Sequence, residues 1–272
     1  MAAREPAVKL DMAEIVAVTA PQAPMRREHR PDAALETEAL KGELVRAIER
    51  NASGWTFGEL LTDGYRGWLP TSALAARGSE PTHKVAALRT FAFPDRSIKS
   101  PPVEAIPFGG RLAVVRVEER MAVTESGTYV PAAHLAPIAL HERDFVAVAE
   151  RFIGVPYLWG GKTSLGLDCS GLVQIAFAAC GIDCPRDSHL QERAVGEAVA
   201  PDQARSPLKR GDLIFWNGHV GIMRDPATLL HANAFHMAVA SEPVTEAIAR
   251  IRQAGSEVTS IRRITPGAAR PA

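Results

Sequence analysis

Residues 156–181 read Pro156-Tyr-Leu-Trp-Gly-Gly-Lys-Thr-Ser-Leu-Gly-Leu-Asp-Cys-Ser-Gly-Leu-Val-Gln-Ile-Ala-Phe-Ala-Ala-Cys-Gly181. The first half is glycine-rich and polar, which predicts a sharply bending loop. The second half, Ser170 to Cys180, is apolar and rich in helix formers. It ends at Gly181, a residue suited to the left-handed position after a helix. Asp168 and Ser170 are N-cap types, so Cys169 falls at or near a helix N-terminus. Unpaired N–H groups and the helix dipole favour an anion there. The expectation is a thiol held below its ordinary value of about 8.5, which makes Cys169 a candidate nucleophile. The structural alternative is a small buried hydrophobe, the ordinary fate of a lone cysteine.

A cysteine nucleophile needs a base. Downstream stands Gly211-Asp-Leu-Ile-Phe-Trp-Asn-Gly-His-Val-Gly-Ile-Met223, two apolar runs flanking Asn217-Gly218. This predicts a β-hairpin with His219 opening the second strand. A further apolar run ends in His231. Adjacent strands would hold the two imidazoles side by side, one as base and the other to orient it.

At these residues the chain resembles the NlpC/P60 cysteine peptidases. The resemblance rests on Asp168-Cys169-Ser170-Gly171-Leu172, on His219-Val220-Gly221-Ile222, on Pro156-Tyr157-Leu158-Trp159-Gly160-Gly161 and on Leu230-His231-Ala232-Asn233, in family order. It covers residues 141–272 and implies an α+β, papain-like catalytic domain. Cys169 would be nucleophile, His219 general base and His231 the third, orienting residue. No metal or other cofactor is implied. Family members mostly cut the γ-D-glutamyl to diamino-acid bond of cell-wall peptides. The implied partner is thus a murein tripeptide or tetrapeptide, with Asp168, Ser170 and Tyr157 near the substrate. Cysteine and histidine together do acyl transfer, and the backbone N–H of Cys169 is the candidate oxyanion donor.

The remaining chain reads as β-rich. Residues 1–12 are expected to be a tail and Ala13 to Thr19 a strand. Thr37 to Arg50 reads as strand, turn, strand around Gly42, and Asp63-Gly64 as a hairpin turn. Gly67-Trp-Leu-Pro-Thr-Ser-Ala-Leu74 is echoed by Gly127-Thr-Tyr-Val-Pro-Ala-Ala-His-Leu135, and Leu40 to Val45 by Phe108 to Ala113. Two copies of a unit of about 60 residues predict two small β-barrels, residues 13–78 and 79–140. They resemble bacterial SH3 domains, of the kind placed before NlpC/P60 domains. Members with two such domains resemble enzymes that require a free N-terminal L-alanine. In that picture the first barrel closes one end of the groove, and its loop residues Glu28 and Tyr65 reach toward the peptide's amine.

Composition sets outer bounds. The chain has 272 residues, 31 basic and 31 acidic, and a formal net charge of zero. No basic stripe suggests a nucleic-acid partner. The N-terminus lacks a basic stretch followed by an apolar core, and no run is long enough to span a bilayer, so no membrane partner and a cytoplasmic location are expected. Three cysteines, Cys169, Cys180 and Cys184, do not make a disulfide framework. Cys180 and Cys184 alone are half a zinc site at most and read better as buried thiols. Competing functions are an N-acetylmuramoyl-L-alanine amidase, another amide hydrolase, an acyltransferase on the same fold, and a wall-peptide binder without catalysis. Oligomeric state is not legible.

Overall fold

The computed structural model describes residues 8–199 and 208–264. The chain divides into two units, residues 1–140 and 141–272. In the first, alternating and apolar runs form β1 (Val8–Val18), β2 (Gln22–Arg26), β3 (Leu35–Leu40), β4 (Leu44–Arg50), β5 (Trp55–Leu60), β6 (Arg66–Pro70) and β7 (Leu74–Ala76). They make one curled sheet, in the order β3-β2-β6-β5-β4-β1-β7. Its concave side is filled by Val16, Val18, Met25, Val45, Leu60 and Leu69, all essentially buried. Strand, turn, strand around Gly42 is as read from the sequence, with Gly42 at φ 80°. The first strand begins at Val8 rather than at residue 13, because Val8 and Lys9 pair with Arg50 and Glu49. The expected tail is therefore shorter than 1–12, and residues 1–7 lie outside the described residues.

The expected second barrel is not found. Residues 83–137 form β8 (His83–Val85), β9 (Arg89–Ala92), β10 (Glu104–Pro107), β11 (Arg111–Leu112), β12 (Val114–Glu118), β13 (Met121–Thr124), β14 (Tyr129–Pro131) and β15 (Leu135–Pro137). These divide among three sheets of two, three and three strands. The echo survives locally: Thr71–Ala73 and Ala132–His134 each form one 3-10 turn after a proline and before a short strand. The second copy's strands are two to five residues long. A smaller core of Val85, Ala92, Ile106, Leu112 and Val130 holds the three sheets together.

The second unit opens with α1 (Phe145–Glu150), capped by the Asp144 carboxylate, which accepts from the N–H groups of Val146 and Ala147. Then come a two-residue hairpin, β16 (Lys162–Thr163) and β17 (Gly166–Leu167), absent from the sequence reading, and α2 (Cys169–Ala179). After α3 (Ser188–Ala194) stand β18 (Glu197–Ala198), β19 (Leu213–Trp216), β20 (His219–Met223), β21 (Thr228–Asn233), β22 (Ala238–Pro243), α4 (Val244–Gln253) and β23 (Val258–Arg263). The strands form an antiparallel sheet ordered β18-β23-β19-β20-β21-β22. The sequence predicts strands at about 212–217, 219–223, 227–232, 237–243 and 258–264 and a helix over 245–254, each within a residue or two of the element found. Residues 185–193, by contrast, read as helix or loop, and β18 is not foreseen. Pro266 to Ala272, expected as a loose tail, lies outside the described residues.

Helix α2 is the centre of this unit. Every residue of it except Ala178 is buried. Leu172, Val173 and Phe177 have no exposed surface. Burial of each such side chain is worth about 1.5–3 kcal/mol, so packing rather than helix propensity holds α2 in place. Phe177 also meets Phe145 of α1 edge-on, centroids 4.7 Å apart. Among the described residues no helix is long and apolar enough to cross a membrane.

Candidate active site

Cys169 is the first residue of α2. Asp168 caps the helix, its Oδ1 accepting the Gly171 N–H at 2.7 Å. The glycine at 171 is required sterically: a Cβ there would stand 2.3 Å from the Gly161 carbonyl oxygen. That close approach brings the loop before the nucleophile onto the helix start. Asp168 Oδ2 accepts from the Gly160 N–H at 2.8 Å, which ties the same loop down.

The two histidines meet as the hairpin reading required. Gly218, at φ 76°, turns the chain between β19 and β20. This sets His219 opposite Trp216. His219 Nε2 and His231 Nδ1 are 2.8 Å apart, and the rings sit 5.1 Å centroid to centroid. The series continues beyond the predicted pair. His231 Nε2 is 2.7 Å from Glu242 Oε1, and Arg250 of α4 donates to both Glu242 oxygens at 2.5 and 2.6 Å. The backbone N–H of Val220, the neighbour of His219, acts on the Cys169 sulfur. Helix α2 and strand β20 therefore supply one site.

Electrostatics correct one expectation. The Cys169 thiol is not lowered by the helix start; it is pushed up to about 12. Burial is the main cause, the Asp168 carboxylate adds to it, and the N–H groups of Val220 and Ser170 with Arg186 only partly offset them. A dipole of roughly half a charge does not outweigh loss of water and an adjacent full negative charge. His219 is lowered to about 3, first by burial and then by His231 and Arg250. His231 is lowered too, by burial, against the pull of Glu242. The site at rest holds a neutral thiol and neutral imidazoles. Proton transfer from sulfur then accompanies attack, and the amides at the helix start stabilise negative charge only as it develops.

Tyr157 has its phenol pushed up to about 12, first by burial and then by the Cys169 and Asp168 side chains, and its backbone bridges to Leu167, the residue before Asp168. Ser170 Oγ lies 3.3 Å from Asp168 Oδ1. Glu28 and Tyr65 belong to the first unit. Glu28 is exposed and paired with Arg30 at 3.1 Å. Tyr65 is half-buried, its hydroxyl donating to Glu36 at 3.4 Å.

Sequence reading missed Arg186. Its guanidinium is 2% exposed and pairs with Asp168 in parallel, Nη1 to Oδ1 at 2.9 Å and Nη2 to Oδ2 at 2.7 Å. It also donates to Ser170 Oγ at 2.8 Å and to the Gly161 carbonyl at 3.3 Å. Gln191 of α3 donates to the carbonyls of Ser170 and Pro185 at 2.9 and 2.8 Å, fixing this segment to the helix start. A single arginine before Asp187-Ser188 carried no local signal. Glu242 and Arg250 were missed for the same reason. Cys180 and Cys184 are half-buried, not fully buried. Among the described residues the group with metal-ligand spacing is instead His231, His236 and Glu242, whose ligand atoms lie within 4.8 Å of one another. Its carboxylate already carries the Arg250 cation.

A buried thiol at a helix start, backed by two hydrogen-bonded imidazoles on adjacent strands of an antiparallel sheet, defines a cysteine peptidase. Residues 154–256 match the model of the NlpC/P60 family, and residues 25–74 match that of the bacterial dipeptidyl-peptidase Sh3 domain. The second unit thus carries an NlpC/P60 domain, and one SH3b-like region precedes it. The chain is 40% identical over 148 residues to the gamma-DL-glutamyl hydrolase of Bacillus subtilis, covering 51% of this chain and 33% of that protein. It is 28% identical over 209 residues to the gamma-D-glutamyl-L-lysine dipeptidyl-peptidase of Bacillus cereus, covering 67% of this chain and 60% of that protein. The chain thus spans between a third and three fifths of the length of these two relatives. Its fold is shared with an NlpC/P60 family protein from Bacillus cereus, at a TM-score of 0.76 and 21% identity over 93% of this chain and all of that one.

Proposed function

We propose that the protein hydrolyses the bond between γ-D-glutamate and the diamino acid of murein peptides, with Cys169 as nucleophile and His219 as base. The observation that carries this reading is the Cys169, His219, His231 arrangement. The similarity to proteins named for γ-glutamyl hydrolysis supplies the substrate class. His219 takes the thiol proton as sulfur attacks the γ-carbonyl, and the carbonyl oxygen draws on the helix-start amides. The imidazolium then protonates the departing amine, and water, deprotonated by His219, releases the glutamyl product.

The finer reading is a dipeptidyl-peptidase. The substrate would be a tripeptide or tetrapeptide with a free N-terminal L-alanine, handled in the cytoplasm during peptide recycling. Asp168, Ser170 and Tyr157 would line the pocket for the first residues of that peptide. Arg186 changes the expected role of Asp168. A carboxylate already neutralised by a buried guanidinium offers a substrate ammonium hydrogen-bond acceptors rather than a bare charge. The test compares L-Ala-γ-D-Glu-diaminopimelate with its N-acetylated form and with intact sacculus, products being identified by mass spectrometry. Fast release of L-Ala-γ-D-Glu from the free tripeptide alone supports the reading. Equal rates on free and acetylated peptide would reject the amine requirement, and cleavage at the muramoyl-L-alanine bond would favour the amidase.

A further inference from the structure

The hydrogen-bonded series does not end at the third catalytic candidate. His231 stands opposite Ala240 in the β21–β22 register, and Glu242 lies two residues on, on the same face of β22. His231 is 1% exposed and Glu242 8%, so the 2.7 Å contact between them is sheltered from water. Arg250 reaches from α4, one turn before its end, and closes a two-point fork on the carboxylate. The guanidinium itself lies 4.2 Å over the ring of Phe235.

We propose that Glu242, clamped by Arg250, is a positioning residue that sets the tautomer of both histidines and so leaves His219 Nδ1 unprotonated to receive the Cys169 proton. This rests on the reading of Cys169 and His219 as the reacting pair. The reasoning is a count of donors. An ionised carboxylate can only accept, so the proton of neutral His231 sits on Nε2. Its Nδ1 is then an acceptor, and the 2.8 Å contact requires His219 to donate from Nε2. A neutral imidazole carries one N–H, which leaves the lone pair of His219 on Nδ1. Arg250 has no acceptor and cannot reverse this order. It also holds the carboxyl ionised: burial would raise Glu242, yet the hydrogen bonds from Arg250 and His231 bring it to about 2.

Other charged groups facing this series are few among the described residues. His236, on the turn between β21 and β22, brings Nδ1 to 3.9 Å from Glu242 Oε1. Glu246, on the same helix as Arg250, acts on that guanidinium. Asp168 and Arg186 lie on the Cys169 side. When His219 becomes an imidazolium, its second proton enters at Nδ1, while the Nε2–H stays bonded to His231, whose own Nε2–H points at the carboxylate. Glu242 therefore serves twice, before proton transfer as a tautomer selector and after it as a counter-charge.

The test uses full-length protein with ¹⁵N-labelled histidine. The wild-type spectrum at neutral pH should show His219 and His231 both protonated at Nε2 and bare at Nδ1. A His219 protonated at Nδ1 overturns the proposal outright. Glu242→Gln keeps the shape but offers an amide that can present N–H₂ to His231 and invert both tautomers. It should lower kcat on the tripeptide by about 10- to 1000-fold, with KM within about twofold, below the 10⁴-fold seen when the triad aspartate of a serine protease becomes asparagine. The acid limb of the kcat/KM profile should also move. Arg250→Met, which keeps the carboxylate, should retain the wild-type tautomers with a smaller loss. Wild-type kcat and unmoved His219 resonances in Glu242→Gln would refute the role. If that variant fails to fold, the wild-type spectrum decides alone. If wild-type protein cleaves no γ-D-glutamyl peptide, the substrate reading fails, while the spectra and the rate of Cys169 alkylation by iodoacetamide still judge the tautomer.

Discussion

Arg186→Met should destabilise the catalytic unit severely. The arginine is almost fully buried and makes at least four hydrogen bonds, two of them to Asp168. Methionine fills much of the same volume, so the cavity contribution is small. What remains is a buried carboxylate without its cation, which costs about 3–5 kcal/mol. Two neutral acceptors, Ser170 Oγ and the Gly161 carbonyl, also lose a donor. The Gly160 and Gly171 amides still serve Asp168 and limit the damage. Total stability of a domain is about 5–15 kcal/mol, so the variant would keep only a fraction of it. For a unit of this size, about 3 kcal/mol corresponds to a fall in Tm of roughly 10–15 °C. Calorimetry and urea titration would measure the loss, and the double variant Arg186→Met/Asp168→Asn would separate its causes. If the unpaired charge dominates, the double variant recovers part of the stability. A Tm within about 2 °C of wild type for Arg186→Met would refute the reasoning, whatever the effect on activity.

Cys169→Ala should abolish hydrolysis while leaving the far-UV spectrum unchanged, and Cys180→Ala should stay active; peptide turnover on the purified variants decides, and an active Cys169→Ala would remove the mechanism. His219→Ala should cost activity about as much as loss of the cysteine, since residues acting as a unit fail together, whereas His231→Asn should cost less because an amide still bonds His219; the reverse order of kcat values would exchange the two roles. Stability should fall with acid below about pH 6.5. The folded His219 is lowered from 6.5 to about 3, so between those values the unfolded chain binds more protons and stability rises with pH. At pH 5 the loss from this residue alone is about 2 kcal/mol. Glu242, lowered from 4.5 to about 2, adds to the loss below pH 4.5. Urea midpoints from pH 4 to 7.5 check the slope, which His219→Gln should flatten; a wild-type midpoint that rises toward acid would contradict the sign.

Local chemistry by itself determined a large part of this protein. Asp168 before an apolar run, with Gly181 after it, marked both ends of α2, because capping and a left-handed exit are properties of a few adjacent residues. Asn217-Gly218 between apolar runs marked the β19–β20 hairpin, and with it the position of His219. The Pro-Thr-Ser-Ala-Leu echo was legible too, and its local form recurs at residues 131–135. Whether the second copy closed into a barrel was not, since that depends on how many strands share one ladder. Only the tertiary structure decided the rest. Arg186 and Asp168 are eighteen residues apart, and His231, Glu242 and Arg250 meet through strand register and a helix packed on the sheet. The direction of the Cys169 shift followed from burial, which no helix-start pattern reports. Caps and turns are written in neighbouring residues, whereas buried charge pairs and desolvation depend on what the completed fold brings within a few ångströms and what water it removes.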